Sequence, residues 1–222
     1  MAPYDLNLGP DNWNPDGHWD GWTIYATVHN AYLVQPRHDG DPRLVTAATV
    51  PRETVQLDVL GSLECYGGPR GLLDFDAMRA RAASKHDALL AAWEELTAEH
   101  PPARPLTDFV ARHRADPGTY SAADARREHL AQPLVQDVAR RALAGDPHFD
   151  TSFLLGDPVG YFAQEHEEAR ARAVRCAVPG FALVTLDGSW TDADSDGYWD
   201  RANRYLDHLD AEAVVIDLLC HC

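Results

Sequence analysis

The closing segment, Val214-Val-Ile-Asp-Leu-Leu-Cys220, constrains the fold more than any other stretch of the chain. It is apolar at successive positions, not alternate ones, and β-branched residues lead it. A strand with one buried face alternates apolar and polar side chains, whereas a continuous apolar run expects cover on both faces. Ala211 to Cys220 therefore reads as a central strand. Asp217 interrupts it, and a carboxylate there must be paired, hydrogen-bonded or placed at the sheet's end, because burying an unpaired charge is costly.

A central strand at the C-terminus needs neighbours, and the first third of the chain offers them. Trp22 to Val34 is aromatic and β-branched, a strand with a bend near Asn30. Leu44 to Val50 and Thr54 to Leu60 read as shorter strands, separated by Pro51 and closed by Gly61. Residues 10 to 21 are dense in Asp, Asn, Pro and Gly and read as successive turns. Tyr66-Gly-Gly-Pro-Arg-Gly71 is a breaker cluster and marks an internal boundary.

The middle reads as helical. Asp74 or Asp76 caps a helix that Pro101-Pro102 stops. Thr107 opens a short helix ended by Asp116-Pro-Gly. Ser121-Ala-Ala-Asp124 has the spacing of a capping box, and the helix it opens breaks or kinks at Pro133. Asp157-Pro158 is a cap followed by proline at the first helical position. The last third returns to β: a strand from Phe181 to Leu186, a polar loop, a helix carrying Trp199, Tyr205 and Leu206, then the closing strand. The expected class is α+β in a single domain, 1–222. A mixed or antiparallel sheet forms from the N- and C-terminal strands (1–66 and 180–222), with a helical insertion (72–177) between them.

Composition bounds the partners. Hydrophobic residues make up 45% of the chain, enough for a core. A formal charge of −16 argues against unspecific nucleic-acid binding and against docking on an anionic membrane. No apolar run has the length of a membrane span, and the N-terminus lacks a basic region followed by an apolar one. Four scattered cysteines make no disulfide framework, so the expected setting is cytoplasmic, with thiols reduced.

The candidate sites begin with Cys220-His221-Cys222, since thiolates and imidazole are the ligands zinc prefers. On a strand Cys220 and Cys222 face one way and His221 the other. Two thiols can share a metal, with further ligands drawn from His18, His29, Cys65 and Cys176. A thiol nucleophile activated by a base such as His29 is a second reading. The plainer third is a strand end with small, inert cysteines, and it is preferred.

Asp192, Asp194 and Asp196, followed by Gly197, match the start of a calcium loop, but Asn203 stands where a bidentate Glu is needed. A solvated acidic turn is favoured over calcium. Trp19, Asp20, Trp22 and His29, beside His18, form a candidate ligand pocket of rings and polar anchors. The His86-Asp87 pair lies on an expected helix but is set aside as a metal-hydrolase signal, because the chain has strands at both ends. Glycine-rich phosphate loops and nucleophile elbows are absent from the sequence.

Three segments resemble a family of uncharacterised proteins from actinobacteria and their phages: Trp19-Asp20-Gly-Trp22-Thr-Ile24, Ala182-Leu-Val-Thr-Leu-Asp187-Gly188-Ser-Trp190, and Val214-Val215-Ile-Asp217-Leu-Leu-Cys220-His221. Ala26-Thr-Val-His29 replaces that family's Gly-Gly-Arg-Trp run, and its paired Cys-x-x-Cys motifs are missing. The resemblance implies a shared fold and an accessory, phage- or mobile-element setting, and it carries no reaction. The expected function is non-catalytic binding of a protein or small ligand, with the Trp-rich N-terminal region and the acidic loop at 192–200 as recognition surfaces. The alternative is a metal- or thiol-dependent hydrolase built on Cys220, His221 and Cys222.

Overall fold

Both ends of the chain contribute strands to one small sheet. The structure, a computed structural model, describes residues 21–26, 31–46, 49, 55–57, 61–154 and 156–221; for 21–26, 55–57, 154 and 219–221 the description is of the backbone alone. The N-terminal strands are β1 (Gly21–Ala26), β2 (Tyr32–Leu33), β3 (Val55–Leu57), β4 (Glu64–Cys65) and β5 (Gly67–Pro69). The C-terminal ones are β6 (Ala182–Val184), β7 (Trp190–Asp192), β8 (Val214–Ile216) and β9 (Leu218–His221). β1 lies between β3, to which it runs parallel, and β9, to which it runs antiparallel. The remaining strands form the antiparallel pairs β2–β4, β5–β8 and β6–β7. The fold is α+β, as the alternation of patterns indicates, with its strands spread over several short pairings.

The helices are α1 (Phe75–Ala98), α2 (Leu106–Ala115), α3 (Ala122–Leu130), α4 (Pro133–Leu143), α5 (Pro158–Phe162), α6 (His166–Arg175) and α7 (Tyr198–Asp207). The chain divides into a terminal unit, Met1–Ala80 with Arg175–Cys222, and a helical unit, Arg81–Val174. Among the described residues no helix is long and apolar enough to cross a membrane.

The closing strand departs from its expected place. Asp217 splits it, so that β8 pairs with β5 and β9 pairs with β1. Val214 is 59% exposed beside Val215 at 7%, so this run is covered on one face and is not central. β8 and β9 each pair with one strand among the described residues.

The expected boundary at Tyr66–Gly71 is instead a junction. Gly67 pairs with Ile216 in β8, and its carbonyl accepts from Val45 N at 2.8 Å. A Cβ at Gly67 would stand 2.3 Å from the Val215 carbonyl oxygen, so only glycine admits this approach. The same absence of a side chain that reads as a breaker here permits close pairing. Leu44 to Val50 shows a bridge at Val45 and then a turn, with no regular strand among its described residues. Thr46 N donates to Thr49 Oγ1 at 2.8 Å, a local bond that competes with strand pairing.

Tyr32, Leu44, Cys65, Leu73, Phe75 and Val215 pack as the core of the terminal unit. The Arg70 guanidinium lies 4.0 Å from the Phe75 ring centroid and donates to the Leu206 carbonyl at 3.0 Å, tying the start of α1 to α7.

The helical unit follows its caps. Ser121 accepts from Asp124 N while Asp124 accepts from Ser121 N, a complete capping box opening α3. Pro133 separates α3 from α4 by sitting at the first position of the new helix, where its missing N–H matters least. Asp157 accepts from Gly160 N at 2.9 Å and from Leu106 N at 2.7 Å, so one carboxylate serves the starts of both α2 and α5. Val138 and Phe149 are fully buried here, and Trp93 stacks on Phe162 with centroids 4.3 Å apart. Burying each large ring contributes about 1.5–3 kcal/mol.

Candidate functional site

His18, Trp19, Asp20, His29 and Cys222 lie outside the described residues. Trp22, Cys220 and His221 are described by backbone alone, and the register of β1 with β9 sets Trp22 opposite Cys220 and Gly21 opposite His221. Cys65, counted among the ligands available to zinc, is a fully buried core residue whose thiol burial pushes up to about 11. It is therefore a protonated thiol at neutral pH, poorly suited to attack or to bind metal. Cys176 is exposed.

The described residues concentrate unusual chemistry around one hairpin, β6–β7, and the helix α7 beside it. The strands pair from Ala182 with Asp192 to Val184 with Trp190. Their turn closes through Thr185 N to the Ser189 carbonyl at 3.0 Å, and Gly188 adopts a positive φ of 86° that suits glycine. Asp187 accepts from Thr185 Oγ1 and from Ser189 N, and these bonds hold its carboxyl below the usual carboxylate range. It stays ionised.

Two tyrosines of α7 fasten this hairpin. Fully buried Tyr198 donates its hydroxyl to the Gly180 carbonyl at 2.5 Å, at the hairpin's base. Near the other end Leu186 N donates to the Tyr205 hydroxyl oxygen at 2.8 Å. Seven residues separate the two tyrosines, about 10 Å along a helix. The backbone is thus pinned at both ends, yet the side chains next to the pins face water: Phe181 is 83% exposed and Leu186 is 74% exposed. The Phe181 ring stands at 67° to the half-buried Trp199 ring, with centroids 6.3 Å apart. Asp187, Asp194, Asp196 and Asp200, on the turn, the loop and α7, are exposed as well.

The acidic loop is held as a turn. Asp192 accepts from Trp190 Nε1 at 3.3 Å and from Ser195 Oγ at 3.1 Å, and Arg201 donates to the Asp196 carbonyl. Asn203, the closing position of the calcium pattern, points its amide at Arg175 O and Trp199 O and accepts from Arg79. Among the described residues no group of three His, Cys, Asp or Glu is placed to hold a metal.

Beneath the hairpin's base lies a cluster of acidic groups whose proton affinity burial raises. A Cβ at Gly180 would come within 3.8 Å of Asp217 Oδ1, so this carboxyl adjoins the residue that Tyr198 grips. Burial pushes Asp217 up to about 6 and Tyr198 up to about 12. Burial raises Tyr32 as well, with Asp217, Cys65 and Tyr198 adding to the effect. The residue that interrupts the apolar run is thus a shielded carboxyl beside a surface loop.

Sequence reading named the acidic loop and flagged Asp217. It missed Tyr32, Tyr198 and Tyr205, whose roles depend on distant backbone atoms. It also read Phe181 as an ordinary strand residue; the flanking Pro179-Gly180 and Leu186-Asp187-Gly188 were the signals that both apolar residues stand at strand ends, next to turns. No protein-family model, curated protein or solved structure matches the chain, so the reading of its function rests on these residues.

Proposed function

We propose that this chain is a cytoplasmic, non-catalytic accessory protein whose β6–β7 hairpin and α7 bind a segment of another protein that carries apolar and basic side chains. The observation that carries the reading is the clamped hairpin with Phe181 and Leu186 left 83% and 74% exposed. Holding apolar anchors on a fixed backbone lowers the ordering cost of association. A scattered exposed leucine needs no explanation, but two large apolar residues at the two ends of one braced hairpin, Phe181 beside a half-buried tryptophan, are anchors for contact.

Charge selects the partner. Asp187, Asp194, Asp196 and Asp200 are exposed on the same hairpin, loop and helix, and the chain as a whole carries −16. Lysine or arginine flanking an apolar side chain complements these carboxylates and speeds encounter at low salt. A second copy of the chain would bring like charges together. The surface is small, so binding in the micromolar range, about −8 kcal/mol, is the expected scale. The buried thiol of Cys65, outside any disulfide, fits the reducing setting.

The test is selection of peptides from a random library on the wild-type protein, with counter-selection on the double variant Phe181→Ser, Leu186→Ser. Enrichment of sequences combining Lys or Arg with aromatic or aliphatic residues is expected. Enrichment of acidic sequences, or of the same peptides by the double variant, overturns the reading, as does self-association of the wild type through this face.

A further inference from the structure

Away from the hairpin, the helical unit contains a pair of histidines that no role above uses. His86 lies on α1 and is 7% exposed; His166 is the first residue of α6. Nε2 of His86 stands 3.2 Å from Nδ1 of His166, with the two ring planes 19° apart. The centroids are 5.1 Å apart, well beyond the nitrogen separation, so the rings meet nitrogen to nitrogen and not face over face. Arg170 of α6 donates to Asp87 of α1 at 2.9 Å beside them.

We propose that the His86–His166 contact is a pH-responsive latch, holding the start of α6 on α1 at neutral pH and releasing it in mild acid. The chemistry follows from counting protons at the two facing nitrogens. A hydrogen bond there needs one N–H and one lone pair. Two neutral rings supply that arrangement, and so does a pair carrying one extra proton. The second extra proton places an N–H on both nitrogens and a positive charge on both rings, and the contact is lost. The titration therefore belongs to the pair.

The charged groups facing His86 are His166 and Arg170 from α6 and Asp87 from its own helix. Burial, then the neighbouring His166, lowers the tendency of His86 to take up a proton, with Arg170 adding to this and Asp87 opposing it. Asp87 is itself held below the usual carboxylate range by the bond from Arg170, so it stays charged while the histidines titrate. Because the folded state resists protonation of His86, the contact's contribution is complete above the unfolded histidine value of about 6.5 and falls away as pH drops through the lower folded value.

A metal ion offers the competing account, since imidazoles also pair across zinc. The 3.2 Å separation of the two nitrogens favours a proton, because a zinc ion with each nitrogen about 2 Å away at a tetrahedral angle would hold them slightly farther apart.

The experiment is hydrogen exchange of α6 amides at about pH 7.5 and pH 5, corrected for intrinsic rates and referenced to α4, in wild type and His86→Phe. The expected result is a gain of about tenfold or more in α6 opening at the lower pH in wild type, absent from the variant. An equal pH effect in both proteins overturns the latch. Should His86→Phe fail to fold, nuclear magnetic resonance of the wild-type imidazoles decides. Protonation of His86 and His166 in two linked steps supports the latch, and independent single steps contradict it. Protection of α6 that rises with one equivalent of zinc at neutral pH and falls with chelator overturns it in favour of a metal site.

Discussion

The helical unit and the terminal unit are stabilised by different means. In the helical unit Ser121, Asp124 and Asp157 satisfy exposed N–H groups at helix ends, and rings such as Trp93 and Phe162 fill the interior together with the buried imidazoles of His86 and His129. The terminal unit brings two departures from the usual partition together at one place. It holds a half-buried carboxyl, Asp217, and leaves a phenylalanine, Phe181, in water within the same neighbourhood. Local breaches of the usual partition persist where function compensates them. The contrast teaches where to look: the buried imidazoles of the helical unit lie among helices held by local caps, whereas the terminal unit sets a half-buried carboxyl and an exposed phenylalanine beside one hairpin.

The largest effect that sharpens this contrast is in the helical interior. Trp93→Ala removes a ring that is 9% exposed and stacked on Phe162, with an expected loss of about 3–5 kcal/mol by chemical denaturation. Gly67→Val is its counterpart in the terminal unit. The new side chain begins 2.3 Å from the Val215 carbonyl oxygen and forces β5 from β8, a loss of roughly 3 kcal/mol or more. Near-wild-type stability of Gly67→Val would show that β5 and β8 do not approach this closely.

Asp217→Asn has the opposite sign. The folded carboxyl holds its proton up to about pH 6, so between the usual aspartate value and that point the folded state binds more protons than the unfolded one. Stability is therefore lost as pH rises through this window. The amide removes that loss, on the order of 2–3 kcal/mol, and raises the midpoint of thermal unfolding by several degrees at pH 7 and above, with little change near pH 4. A variant less stable than wild type at pH 8 would mean that the carboxylate is paired, not shielded.

Ser121→Ala costs about 1 kcal/mol through the lost cap, measured by the same denaturation. The smallest effect belongs to the surface. Phe181→Ser with Leu186→Ser changes stability by no more than about 0.5 kcal/mol per site, since neither side chain is buried. A larger loss would return both residues to a structural role.

The same contrast explains what could be read from the sequence. Ser121, Pro133 and Asp157-Pro158 act on backbone atoms within a few residues, so their pattern states their effect, and the helices start where it places them. Strand pairing depends on partners far along the chain. Gly67-Gly68 reads as a break until β8 is beside it, and Trp190 to Asp192 reads as loop until it meets β6. Asp217 was visible as an anomaly because a carboxylate in an apolar run breaks a local rule. That its neighbour is Gly180, gripped by a tyrosine from α7, depends on the fold alone. The C-terminal thiols drew attention by residue type, whereas the exposed Phe181 and Leu186 are common residue types in an uncommon place.

The most direct test of the central claim is a fluorescence titration. Trp190 and Trp199 lie on β7 and α7, within the proposed surface. The titrant is a synthetic peptide of alternating leucine and lysine with a central phenylalanine, and its glutamate-for-lysine counterpart is the control. The account predicts a saturable change in tryptophan emission at micromolar lysine peptide, weakened about tenfold or more in Phe181→Ser, Leu186→Ser and by raised salt, and none with the glutamate peptide. An equal response to both peptides, or one that the double variant leaves unchanged, would contradict it.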